Sequence, residues 1–367
     1  MSGTSLDGVD AVVLDFDEGG LALAGALHTP YPPPLRAALL EVLARGEARL
    51  DTLGQLDVQL ADVYASACRG VWQACGVQAE DIAAIGCHGQ TVWHAPQGPH
   101  PFTWQLGDAH RLAELTGVTV VADFRRRDVA AGGQGAPLVP AFHADVFRAE
   151  DEHRLLLNLG GIANITWLPR EGEVLGFDTG PANGLLDAWC QEVRGEPYDS
   201  AGQWAASGTV LPALLERLLA EPWLAQPPPR STGRELFNLH WLRRLAADLL
   251  ATASPADVQA TLAEYTAVTV AEALRFLPAA PDRVIVCGGG SYNTHLLERL
   301  GAALAERTQS AKAPPVESSA DHGLDPMQVE AAAFAWLAWR TLNGLPGNLP
   351  AVTGARGERV LGCVIPA

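Results

Sequence analysis

Short β-branched runs alternate with longer stretches of helical periodicity throughout this chain, and four glycine-rich turns sit where the two kinds of segment meet. That alternation restricts the fold to the α/β class. Residues 9–16 alternate and predict a strand, while 35–43 and 53–75 carry apolar residues at helical spacing. Residues 81–87 and 118–123 read as buried strands, 154–158 and 162–168 as a strand pair around Gly160 and Gly161, and 174–177 as a third strand. Helices are predicted near 184–193, 210–219 and 257–276. A clear buried strand at 283–287 then runs into Gly288-Gly289-Gly290 and a helix from about Thr294. Each half holds glycine-centred turns and a later strand that delivers polar residues to a helix, which predicts two duplicated lobes with a cleft. Polarity rises at 146–152, so the expected division is 1–148 and 149–367, with the Pro-rich segment 225–229 a surface excursion.

Charge narrows the chemistry. With a net charge of −17 the surface repels phosphate backbones, so nucleic acid is not an expected partner. The single lysine, Lys312, lies in a Pro-rich stretch. A P-loop, a protein kinase and a Schiff-base enzyme each need a lysine in a defined setting, so all three are excluded. Phosphate, if handled, must be met by backbone N–H groups, a metal ion and arginines. Six cysteines show no C-x-x-C spacing, no apolar run is long enough to span a bilayer, and the start lacks a leader pattern. A cytoplasmic protein without a membrane partner is expected.

The turns carry the candidate chemistry. Met1-Ser2-Gly3-Thr4-Ser5-Leu6-Asp7-Gly8-Val9-Asp10 leads into a strand and is either an anion-binding nest or an ordinary turn. In Asn158-Leu159-Gly160-Gly161-Ile162-Ala163-Asn164 the paired glycines allow close backbone approach. In Gly176-Phe177-Asp178-Thr179-Gly180-Pro181-Ala182-Asn183, Asp178 is either a general base at a strand end or the cap of the next helix. Cys287-Gly288-Gly289-Gly290-Ser291-Tyr292-Asn293 has the strand, glycine, helix order of a phosphate or nucleotide site, without the G-x-G-x-x-G fingerprint. His88 and His94 lie six apart with no third metal ligand. Arg125, Arg126 and Arg127, between Asp123 and Asp128, are the cations available to an anionic substrate. Glu330 opens an apolar helix, 331–339, and either complements its N-terminus or faces the cleft.

Taken together and in order, these segments resemble the anhydro-N-acetylmuramic acid kinase family. The matching stretches are residues 1–10, His88-Gly89-Gln90-Thr91, 122–128, 132–140, 176–183, Ser231-Thr232-Gly233-Arg234-Glu235, Cys287–Gly290 and the Glu330 helix. The resemblance implies a two-lobed actin/hexokinase-like, ribonuclease H-like fold with ATP and sugar in the interdomain cleft. It implies ATP and Mg²⁺ as cofactors, and conversion of 1,6-anhydro-N-acetylmuramic acid to N-acetylmuramic acid 6-phosphate in peptidoglycan recycling. Carried over by position, Asp178 is the catalytic base. Gly3, Thr4, Ser5, Leu6, Asp7, Gly8, Val9 and Asp10 form the ATP-phosphate loop, with Gly160, Gly161, Gly288, Gly289 and Asn293 also near the nucleotide. Arg127 and Glu330 line the sugar site, with His88 and Asp128 beside them. The Mg²⁺ ligand is not identified, and a homodimer is implied by the resemblance alone.

Two departures qualify the match. The family usually begins several residues earlier, with a strand running into the first motif, so residues 1–5 are expected to be loosely held and activity weakened. Arg230 stands where the family often has lysine. The alternatives are a non-catalytic sugar or nucleotide sensor that keeps the fold, and a chaperone-like ATPase of the same superfamily.

Overall fold

A computed structural model describes residues 1–3, 6–17, 20–233, 235–308 and 313–367. Thr4 and Ser5 of the first glycine turn lie outside the described residues. Strands run in chain order as β1 (Gly8–Asp17), β2 (Gly20–Pro30), β3 (Ile85–Gly86), β4 (Gln90–Ala95), β5 (Phe102–Leu106) and β6 (Val120–Ala122). They continue as β7 (Arg154–Leu159), β8 (Ile162–Leu168), β9 (Leu175–Pro181), β10 (Arg283–Cys287), β11 (Val316–Ser318) and β12 (Cys363–Ile365). The chain divides into two compact units, one of residues 1–146 with 328–367 and one of 147–327.

This corrects the expected second lobe of 149–367. The last forty residues belong to the first unit because β12 pairs antiparallel with β6, Cys363 opposite Ala122, and the helix Val329–Leu342 packs on β1 and β3. That helix buries Val329, Ala331, Ala332, Ala333, Phe334, Trp336, Leu337 and Ala338. A helix this apolar is stable only when it is largely enclosed.

The second unit is built on one sheet of order β11-β10-β7-β8-β9. The first three of its strands in sequence, β7, β8 and β9, form an antiparallel meander, and β10 and β11 add in parallel on the far side of β7. This 3-2-1-4-5 order is that of a ribonuclease H-like core. Leu155, Leu157, Val284 and Val286 of its central strands are almost fully buried, as near-continuous apolar runs in parallel strands should be. The helix Pro255–Ala273 packs on it, started by Ser254, whose hydroxyl accepts from the Asp257 N–H, and by Pro255 in the first turn.

The first unit repeats part of that plan. It has an antiparallel hairpin, β1-β2, and a parallel pair, β3-β6, but among the described residues no strand joins them as β7 joins its neighbours. On the β1 edge away from β2, Met1 alone pairs among the described residues: its ammonium donates to the Asp10 carbonyl at 2.7 Å and its carbonyl accepts from the Asp10 N–H at 2.8 Å. The core of this unit gathers Leu6, Val9, Leu39, Leu60, Tyr64, Leu106, Leu112 and Val120.

Two predicted strands are shorter than expected. Within 81–87 only Ile85–Gly86 is paired, because Gln78 and Asp81 close a capping box that turns Ala79–Asp81 into a 3₁₀ helix. Within 118–123 the strand stops at Ala122, where Asp123 takes a left-handed conformation, φ +58°. Among the described residues no helix is long and apolar enough to cross a membrane.

Candidate functional site

Asp178 lies inside β9 rather than after it. The β8-β9 ladder slips between Ala163 and Asn164: Gly180 faces Ala163 and Asp178 faces Asn164, leaving Thr179 as the extra residue. A bulge bends its strand and re-aims the neighbouring side chains, and here that side chain is a carboxylate. Asp178 does not cap the next helix, whose N-cap residue is Ala182, so the capping alternative falls. Its Oδ2 accepts a 2.8 Å hydrogen bond from the Thr232 N–H. Desolvation lifts its pKa from 3.8 to about 7, against the pull of the Thr232 N–H and the Arg230 charge, with Glu235 adding to the rise. A base with that value is half ionised at neutral pH, which suits proton abstraction there.

The rise has a cost in stability. Folded protein keeps the Asp178 proton to about pH 7, whereas the unfolded chain gives it up near 3.8. The folded state therefore binds more protons in that window, and stability falls as pH rises from about 4 to about 7. Asp178→Asn is expected to melt a few degrees above the unmodified protein at pH 8 and at the same temperature at pH 4, read by circular dichroism. A lower melting temperature for Asp178→Asn at pH 8 would contradict this.

Three glycine turns meet beside the ends of β7 and β10. The Gly160 carbonyl accepts from the Asn183 N–H at 3.0 Å, and the Gly161 carbonyl from Ala182 and Gly184 at 3.1 Å each. Asn183, not singled out in the sequence, ties the turns together: its Nδ2 donates to the Leu159 carbonyl at 2.9 Å and lies 3.1 Å from where a Cβ on Gly290 would sit. Gly288 has φ +79°, and a Cβ there would stand 2.3 Å from Asn158 Oδ1. Gly288→Ala should cost at least about 1 kcal/mol of stability and weaken ATP binding, measured by melting and by calorimetric titration. Gly289, where a Cβ would meet nothing nearer than 3.8 Å, supplies the control that keeps its stability. Asn293 Oδ1 accepts from the Leu296 N–H at 2.9 Å and so starts the helix Thr294–Thr308.

In the first unit the phosphate-loop candidate is held from several sides. Ser2, 1% exposed, shares a 3.0 Å hydrogen bond with the Tyr64 hydroxyl and donates to the Gly89 carbonyl. Gln90 Nε2 donates to the Gly3 carbonyl at 3.3 Å, and Arg36 Nε to the Leu6 carbonyl at 2.8 Å. Met1–Gly3 are thus tied down, contrary to the expectation of a loose start. Leu6 adopts φ +54°, a strained setting for a leucine that its burial maintains.

His88 and Asp128 are internal. Arg125 Nε donates to His88 Nε2 at 2.9 Å, which leaves the proton on Nδ1. Burial and the Arg125 charge keep the ring neutral, far below its ordinary pKa, and it lies against Phe334 at 4.5 Å. Asp128 is fully buried, and its oxygens accept from the Gly135 N–H, Asn348 Nδ2 and Thr353 Oγ1 at 2.7, 2.7 and 2.8 Å. Its carboxylate fastens the 133–135 turn to the returning C-terminal segment.

Arg125, one of the three arginines named in the sequence, is coupled to Glu330. Glu330 is solvent-accessible, but enough protein surrounds it that desolvation holds its carboxyl above the ordinary range, with Arg125 pulling it back. Arg127 lies elsewhere on the same short helix, exposed, lining a cavity of about 300 Å³ with Asp123, Arg126, Val360, Gly362 and Cys363.

The whole chain, residues 1–367, matches the family model described as anhydro-N-acetylmuramic acid kinase. An anhydro-N-acetylmuramic acid kinase of Xanthomonas campestris pv. campestris is 55% identical over 372 residues, which span 100% of this chain and 96% of that protein. One of Xylella fastidiosa is 52% identical over 372 residues, at 100% and 95%. Among solved structures, a ROK hexokinase from Thermus thermophilus aligns over 90% of this chain and 100% of its own, at 17% identity and a TM-score of 0.34, too slight a likeness to carry an argument.

Proposed function

Because the chain belongs to the anhydro-N-acetylmuramic acid kinase family, we propose that it uses ATP and water to convert 1,6-anhydro-N-acetylmuramic acid to N-acetylmuramic acid 6-phosphate. The observation that carries this reading is Asp178, a bulge-directed carboxylate with a pKa of about 7 and one oxygen already fixed by Thr232.

In this mechanism Asp178 takes a proton from water as the water oxygen bonds to C1. The C1–O6 bond of the anhydro bridge breaks, and O6 attacks the γ-phosphorus. The bond from that phosphorus to the bridging oxygen breaks in turn, and ADP leaves. One base therefore serves both ring opening and phosphoryl transfer. The backbone of the 1–10 loop and the Gly288–Gly290 turn would position the phosphates and nucleotide, and Arg127 and Glu330 the sugar.

Mg²⁺ fits this setting. Among the described residues no three ligating side chains gather, which suits a cation carried mainly by phosphate oxygens and water. The loop carboxylates Asp7 and Asp10 would be its protein ligands, and it would neutralise phosphate charge. A role in cell-wall recycling inside the cytoplasm follows from the substrate.

The test is isotopic. In water enriched in oxygen-18, the product quenched before anomeric exchange should carry one heavy oxygen at C1 and phosphate on an unlabelled O6. Label on the phosphate oxygens, or none in the sugar, would overturn hydrolytic ring opening.

A further inference from the structure

Arg230 is buried, 8% exposed, yet among the described residues it has no carboxylate in ion-pair contact. Its guanidinium is instead held by carbonyls and ring faces. Nη1 donates to Leu224 and Gln226 at 2.8 and 3.0 Å, and Nε to the carbonyl of Asp178 itself at 2.9 Å. The guanidinium carbon stands 4.7 Å from the centre of Trp223, 4.9 Å from Phe276 and 5.5 Å from Phe177. A planar, weakly hydrated cation is the charge best suited to such a seat.

The contacts with Asp178 form a set. The Asp178 N–H donates to the Arg230 carbonyl at 3.3 Å, its carbonyl accepts from Arg230 Nε, and its Oδ2 accepts from the Thr232 N–H. Three bonds from residues 230–232 thus grip the backbone and one carboxylate oxygen of a single residue, at the bulge where the ladder alone would leave it least constrained. Among the described residues no hydrogen bond is made to the other oxygen, Oδ1, which the proposed mechanism assigns to the attacking water.

We propose that Arg230 is the positioning residue of Asp178: seated on three aromatic rings and bonded to the aspartate's own carbonyl, it fixes the direction of the carboxylate and sets the pH at which it acts as a base. The inference rests on Asp178 being the base of the proposed reaction. Among the described residues the charged groups around the pair are Glu235 on the same loop, which opposes ionisation of Asp178, and Arg275. Arg275 donates to the Leu224 carbonyl at 2.7 Å and pairs with Glu272 at 3.3 Å. Among the described residues Arg230 is thus the cation acting on Asp178 directly, and its loss removes both a backbone bond and a charge that favours the ionised carboxylate.

The experiment compares kcat against pH for the unmodified protein, Arg230→Lys and Arg230→Met, with melting curves for each. Methionine fills the space among the rings without charge, and Arg230→Gln makes the same neutral change should Arg230→Met not fold. The neutral variant should move the acidic limb of kcat up by about one pH unit or more, as loss of an adjacent opposite charge does. Its KM for ATP should stay within about twofold, since the contact lies with the base and not the nucleotide. Arg230→Lys should restore the limb, because the charge is kept. A folded neutral variant with the limb unmoved, even one that melts lower, would overturn the proposal and leave a purely structural arginine. Inactivity of the unmodified protein would instead count against the proposed function.

Discussion

Asp178→Asn is expected to remove turnover while leaving ATP binding within about twofold, because loss of a general base costs roughly 10²–10⁴-fold in rate. Asparagine is nearly isosteric, and its side-chain oxygen can still accept the 2.8 Å bond from the Thr232 N–H, so the bulge in β9 should survive. What disappears is the ability to take a proton from water. The unmodified enzyme should also lose activity tenfold per pH unit below about 7, where Asp178 becomes protonated. Retention by Asp178→Asn of more than about a tenth of the activity would remove this residue from the mechanism, since no base contribution of the usual size would remain.

Arg127→Ala is expected to raise KM for the anhydromuramyl sugar by roughly tenfold or more, the usual range for losing a charge-assisted hydrogen bond to a ligand. The motive is chemical. The lactyl group gives this sugar a carboxylate, and the side chain of Arg127 makes no ion pair among the described residues while lining a cavity of about 300 Å³. With 1,6-anhydro-N-acetylglucosamine, which lacks the lactyl carboxylate, the same substitution should change little. Unchanged KM and kcat for the muramyl substrate would exclude Arg127 from the site.

Much of the second unit was legible because its signals are local. The 283–287 run is continuous, apolar and followed by three glycines, and it is found as Arg283–Cys287 with the turn at Gly288. The pair 154–158 and 162–168 appears as β7 and β8, since two glycines between β-rich runs leave little but a hairpin. Other elements depend on partners far along the chain. Cys363–Ile365 is too short to show a period, and only its pairing with Val120–Ala122 makes it a strand. The hairpin β4-β5 was missed because Trp93, Phe102 and Trp104 are exposed, so the usual alternation of apolar inside and polar outside is broken.

The arginine cluster shows how side-chain roles were misjudged and how they could have been read. In the helix Phe124–Ala130, Phe124, Asp128 and Val129 are buried. Arg125 shares that inner face with Asp128 and Val129 at the i, i+3, i+4 spacing, so helical periodicity points to it as the inward arginine. Asp128, flanked by arginine in sequence, looked like a ligand contact, yet its partners Asn348 and Thr353 lie more than 200 positions away and no local pattern announces them. The strand-end reading of Asp178 missed the bulge because a single extra residue leaves no trace in composition.

The central claim is tested most directly by coupled ADP release with 1,6-anhydro-N-acetylmuramic acid, N-acetylmuramic acid and glucose offered separately at saturating ATP and Mg²⁺. The account predicts ADP formation that depends on the anhydro sugar and is absent with the other two. Equal release with all three, or none with the anhydro sugar, would contradict it.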